Sequence, residues 1–490
     1  MVVGVDELPP DDEVPAQEAD ASFDADLEPV VPPRPARRRL QIAITLMVIA
    51  SLIVVFGLNM NGGPVRSGSP AGGTVRPTSQ PVVSQRLAVV DANGGLSSMN
   101  EDGGSVVTYA PGGATFAFPA WSPDGKQIAA ISTSDAGTGV TVFNVPVGEG
   151  PAAAATVAYQ SPDEPPFYLY WAPDGRTIAF LATVIDGIAL RAVPADGSRG
   201  VVKIRDGSPM YWQWIDASRM LVHSGGNATN AFVGDVTLDG QASPPATDRA
   251  GLFRAPVLSA NGAYEAFAAG NSQGSASVVI EPRDGATHHE VPVFGVSAFE
   301  FDPAGTTLAF LAAASADAAA DLPLGPLRAV DAVSGTVRTL LSGPVVGFFW
   351  APDGRTIAAL RVGEPTAAPV AGMADPVTVL ARAEEPTRIG AVSRAAAASA
   401  PGIPLDLVFV DPSSGNVRSE RTVRVSDLFI NQVLPFFDQY ALSHRFWSAD
   451  SASIVLPLDD DQGVSRVTVL PADGSEAKVV SAGAIGFWSP

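Results

Sequence analysis

Four histidines and no cysteine bound the side-chain chemistry open to this 490-residue chain. Without thiols there is no disulfide, no thiolate metal site and no cysteine nucleophile. His288 and His289 stand beside Glu290, a grouping of metal-ligand types. Neighbouring residues on a strand point to opposite faces, so the pair cannot converge on one ion there, and a turn or solvent-exposed position fits better. Asp124, Asp174 and Asp353 each occupy a Pro-Asp-Gly turn. Calcium needs several oxygens converging on one point, whereas a single Asp in such a turn serves its own backbone. The chain has no G-x-S-x-G elbow, phosphate loop or dinucleotide fingerprint. No catalytic, metal or cofactor-binding residue is assigned, and no cofactor is expected. The enzyme question stays open, leaning against, because scattered loop residues could still assemble a site.

The densest functional grouping is Asp427–Arg445, which sets Phe429, Phe436, Phe437 and Tyr440 beside Gln432, Asp438, Gln439 and His444. These eight residues form the candidate binding surface, with aromatic anchors and polar groups to orient a peptide, a polymer or a partner protein. The competing account is a helical plug whose aromatics pack onto the mouth of the scaffold, and packing is the commoner fate of aromatics beside a cavity.

The scaffold announces itself by repetition. The phrases WSPDGKQIAAIS from Trp121, WAPDGRTIAFLA from Trp171 and WAPDGRTIAALR from Trp350 are near-copies. Weaker versions begin at Trp214, Leu258, Phe301 and Trp447, and another starts at Phe487-Trp488. Each joins an aromatic strand end to a tight turn and an apolar strand rich in β-branched residues. A second strand pair follows most copies, so each unit offers about four short antiparallel strands. The repeated aromatic is expected to pack between units, since a ligand-binding box would not recur in every one.

The W(S/A)PDG-x-x-(I/L)-A phrase resembles the repeats of TolB-like β-propellers, a branch of the WD-type group, over most of the chain after Arg86. The resemblance implies an all-β fold and says little of function, because such propellers serve as scaffolds, receptors and gates on hydrolases. We expect a single propeller over 86–490, with eight four-stranded blades and seven as the alternative. Arg86–Gly94, Leu96–Gly103 and Ser105–Ala110 read as three strands of a blade whose first strand is Ala484–Trp488. That pairing would close the ring with strands from both termini and remove its open edges.

Two segments interrupt the repeat, at 363–404 and 427–445. The first falls between the second and third strands of a blade, the second between one blade's fourth strand and the next blade's first. Both follow even strands, so both are expected on the face opposite the Pro-Asp-Gly turns.

Ahead of the propeller, residues 1–39 are acidic and Pro-rich and end in Arg34, Arg37, Arg38 and Arg39. That composition cannot bury enough apolar surface to fold alone. Leu40–Met60 is an uncharged apolar run of bilayer-spanning length. No small-residue cleavage site follows it, which favours an uncleaved transmembrane helix over a signal peptide. The arginines place the N-terminus in the cytoplasm and the propeller outside. Residues 61–85 read as a Gly/Ser/Pro tether. A net charge of −21 argues against nucleic-acid binding. Arg greatly outnumbers Lys and Ala is abundant, which suggests a bacterial chain.

The leading expectation is a membrane-anchored extracytoplasmic scaffold that binds a protein or envelope polymer without transforming it. The alternatives are a transmembrane sensor coupled to a cytoplasmic partner and a propeller hydrolase or lyase with a central-channel site. A channel mouth of convergent carboxylates, His and Arg with shifted pKa values would favour the enzyme.

Overall fold

The computed structural model describes residues 85–490 apart from 110–112, 147–154, 226–230, 244–249, 252, 271–275, 319–321 and 364–403. The expected tail, membrane helix and most of the tether therefore lie outside the described residues, as does nearly all of the 363–404 insertion. Among the described residues no helix is long and apolar enough to cross a membrane.

The regular structure of the described chain is almost all antiparallel strand, with short helical turns at Ala316–Ala318 and 429–443. Thr115–Trp121, Gln127–Ser134, Gly137–Asn144 and Thr156–Ser161 form one four-stranded sheet, and Pro166–Trp171, Thr177–Val184, Gly187–Pro194 and Val202–Gly207 form another. Each begins with the strand that carries the repeat Trp. A ten-stranded sheet runs from Val257–Leu258 to Val417–Arg424. It is continuous because two long strands, His289–Phe301 and Val337–Trp350, each end one unit and begin the next. This many-sheeted antiparallel layout is that of a propeller.

Ile485–Trp488 pairs with Arg86–Val90, which continues into Leu96–Asn100 and Val107–Tyr109. Residues near both ends of the sequence thus share one sheet, and the edge of Arg86–Val90 is covered rather than open. Ile357–Arg361 pairs with Pro404–Val410, so the first insertion does join a second and a third strand.

The repeat phrase has two jobs. Its turn is held locally: Asp124, Asp174 and Asp353 accept the backbone N–H two residues on, at 3.1, 2.9 and 2.9 Å. Gly125, Gly175 and Gly354 close those turns at φ 69°, 66° and 68°, where a side chain would be strained. Its aromatic links units. The indole N–H of Trp171 donates to the Ala120 carbonyl at 3.0 Å, Trp447 to Phe349 at 3.0 Å, and Trp121 to Phe487 at 3.1 Å. In each case the acceptor immediately precedes the aromatic of the preceding unit. All these tryptophans are buried. Leu258 lacks the donor, and there the contact is replaced by the Leu258 N–H bonding to Gln213 Oε1.

Candidate functional site

The innermost strands surround a segment that does not lie across a face of the ring. Phe429–Val433, Leu434–Phe436 and Phe437–Ser443 make three successive helical turns of π, 3-10 and α type. Phe437–Ser443 packs against Pro166–Trp171, His289–Phe301 and Val337–Trp350, inner strands of three different units. It therefore occupies the central channel.

The sequence explains the fit. Apolar side chains at Phe429, Ile430, Val433, Leu434, Phe437 and Tyr440 recur on helical spacing and are all buried. Phe437 meets Phe348 with ring centroids 5.2 Å apart, and Tyr440 meets Phe118 at 5.4 Å. Gly347 makes room: a Cβ there would lie 2.8 Å from Leu434 Cδ1. At Phe118 the first strand bulges, with φ +47° and a register shift between Ala117 and Ala120. The bulge turns the Phe118 carbonyl to His444 Nε2, 3.2 Å away.

Polar ties complete the plug. The Tyr211 hydroxyl donates to the Gln439 carbonyl at 2.7 Å, and the Tyr168 hydroxyl lies 2.9 Å from the same oxygen. Tyr168 packs its hydroxyl against that of Tyr211 and directs its one proton to Ser443 Oγ. Ser443 Oγ lies 2.6 Å from His444 Nδ1. Because Nε2 faces a carbonyl it carries the proton, so Nδ1 accepts from Ser443. Burial pushes His444 down to about 4, leaving a neutral imidazole that is a weak base. Ser443 Oγ is also engaged by Tyr168, so the pair ties the plug in place and is poorly arranged for nucleophilic attack.

Of the eight candidate surface residues, Phe429, Phe437, Asp438, Gln439, Tyr440 and His444 are buried, Gln432 is half-buried and Phe436 is exposed. The structure brings six of them together inside the channel. Recognition through those six would require the segment to move.

Where the last residues of the plug meet the Pro-Asp-Gly turns lies an open pocket of about 310 Å³. Ser443, His444 and Arg445 form its base and side, Pro123 and Pro352 its rim, and Trp121, Tyr170, Phe349 and Trp447 its aromatic wall. Glu300 is the carboxylate of this lining. Burial first, and the neighbouring Asp438 second, push its pKa up to about 8. Its Oε2 has no hydrogen-bond partner, and neither does Asp438 Oδ2. Burial raises Asp438 as well, with Arg254 opposing. The mouth thus holds one carboxylate, one neutral histidine and one arginine among aromatics. Among the described residues no three His, Asp or Glu side chains group as metal ligands. His288 is exposed, and His289 turns its Nε2 to the Val333 carbonyl at 2.9 Å.

Sequence reading passed over Glu300. Its signal was available: it immediately precedes Phe301, at the place where other units carry Ala120, Tyr170, Gln213, Val257, Phe349 and Phe446. No other residue of that set is charged.

No protein-family model and no curated protein matches the chain. Among solved structures, the dihydro-heme d1 dehydrogenase NirN is similar at a TM-score of 0.50 and 10% identity, over 84% of this chain and 76% of that one. TolB from Acinetobacter baumannii matches at 0.33 and 19% identity over 52% of this chain, which spans 65% of that protein's length. A TolB from Agrobacterium tumefaciens matches at 0.32 and 18% identity, over 53% of this chain and 89% of that one. These likenesses concern fold alone.

Proposed function

We propose that the chain is an eight-bladed propeller moored outside the cytoplasmic membrane by Leu40–Met60, and that it works as a non-enzymatic binding module. The partner is a protein or an envelope polymer. The observation that carries this reading is the filled channel: a segment bonded to several units occupies it and leaves, beside its last residues, a pocket that can receive a group. The eight-blade count is supported by eight strand groupings, if the long sheet is divided at its two shared strands and the three-stranded sheets are counted as blades. The closing pair Ile485–Trp488 and Arg86–Val90 supports a ring.

A channel enzyme is the second reading, and the Ser443–His444 contact is what favours it. The low basicity of His444 and the prior engagement of Ser443 weigh against it. Photo-crosslinking in intact cells from the pocket rim, followed by identification of the adduct, separates the two. A partner polypeptide or polymer held at the rim supports the module. Turnover of a small substrate by the purified chain, without any adduct, overturns it.

A further inference from the structure

We propose that the pocket receives the cationic tip of a basic side chain, a lysine or arginine of a partner polypeptide, with Glu300 as its counter-charge. The inference rests on the binding-module reading and names the chemistry of its partner. A carboxyl group set among Trp121, Tyr170, Phe349 and Trp447 is costly to ionise unless a donor comes to it. Glu300 Oε2 lacks that donor. The Trp350 backbone N–H is the one group that favours its ionised form. Arg445 lines the same pocket and is partly desolvated there, with Tyr170 and not Glu300 as its charge partner. An entering ammonium or guanidinium would supply the missing donor and the opposite charge once the Glu300 side chain, whose Oε2 is shielded from solvent, turns toward it. The aromatic wall favours the same sign of charge. A volume of about 310 Å³ lies at the small end of ligand pockets, suited to a side-chain tip. Residues 40–490, with 41 acidic against 26 basic side chains, carry a net charge of −15 that draws cations toward them.

Binding is linked to a proton. In the empty pocket Glu300 is protonated below about pH 8. When the cation enters, the carboxylic proton leaves to solvent and the carboxylate accepts a hydrogen bond from the cation, with no covalent change. The other titratable groups around it are Asp438 on the plug, Tyr170, His444 and Arg445. His444 stays neutral above about 4, and burial keeps Tyr170 protonated. Affinity should therefore rise with pH, about tenfold between pH 6 and 7, and level off above 8.

The test uses the full chain in nanodiscs and titrates n-butylammonium, n-butylguanidinium, n-butanol and butyrate by calorimetry from pH 6 to 9. The cations should bind more tightly than the neutral and anionic probes, with proton release. Glu300→Gln should lose at least tenfold in cation affinity together with the pH dependence. Asp438→Asn, which removes the neighbouring acid, should move the rise to lower pH, and thermal unfolding checks that both variants fold. Equal cation binding by Glu300→Gln, or equal binding of butanol by the native chain, overturns the proposal. So does rim crosslinking that captures an amine-bearing polysaccharide in place of a polypeptide. If a partner is captured equally by native and Glu300→Gln chains, this inference falls and the binding module stands. If the cations bind but nothing is captured in cells, the module reading falls.

Discussion

Two buried histidines and one half-buried carboxylate give the molecule a characteristic pH response. His223 and His444 sit at about 4 instead of 6.5 because burial disfavours the imidazolium. Between about 6.5 and 4 the unfolded chain binds protons that the folded one refuses, so their contribution to stability is lost as pH falls through that window. Glu300, near 8 instead of 4.5, acts in the opposite sense. The folded state keeps a proton that the unfolded chain releases, so its contribution is lost as pH rises from 4.5 to 8. Above pH 6.5 the histidines are silent, and Asp438 shifts in the same direction as Glu300. Denaturant unfolding should therefore show stability falling from pH 6.5 to 8, with Glu300 contributing on the order of 2 kcal/mol. Glu300→Gln should flatten that decline, and an unchanged slope would contradict the assignment. Glu300 was legible only by its place in the repeat. An acid where other units carry Ala, Tyr, Gln, Val or Phe is a departure that no motif announces. The turn aspartates and repeat tryptophans were legible, because local hydrogen bonding and regular recurrence dictate their roles.

The plug is the element on which the site depends. Its aromatic content was visible in the sequence, but its path was not. Whether Phe437 faces solvent or a channel is decided by tertiary contacts, here the gap at Gly347 and the bulge at Phe118. The helical-plug account of Asp427–Arg445 describes what the six buried residues do in this structure. Substitutions should divide accordingly. Phe437→Ala empties a fully buried site and should cost about 3–5 kcal/mol in chemical denaturation. Phe436→Ala, one residue earlier and exposed, should stay within about 0.5 kcal/mol. Gly347→Ala crowds Leu434 and should cost about 1–3 kcal/mol. Equal effects of the two phenylalanine substitutions would mean that the segment does not occupy the channel in solution.

At the scale of the molecule, closure is the feature that the repeat made legible and the sheets display. Ile485–Trp488 completes the sheet of Arg86–Val90, and Trp121 ties the next unit to Phe487. Removing Ile485–Trp488 should uncover the Arg86–Val90 edge and make the purified chain aggregate, as size-exclusion chromatography would show. Trp121→Phe keeps the ring but loses the hydrogen bond, and should cost on the order of 1 kcal/mol. Insertion 363–404 and the proposed membrane anchor were read from composition and apolar length, properties that need no tertiary structure. Protease added to whole cells should digest the propeller if the arginines before Leu40 stay inside.

The most direct measurement places a photo-crosslinking residue at Pro123, on the exposed rim of the pocket, and another at the exposed Phe436 outside it, and irradiates intact cells. The account predicts one polypeptide captured from position 123 and lost in a Glu300→Gln background. Capture from position 436 alone, or capture from 123 that is indifferent to Glu300, would contradict it.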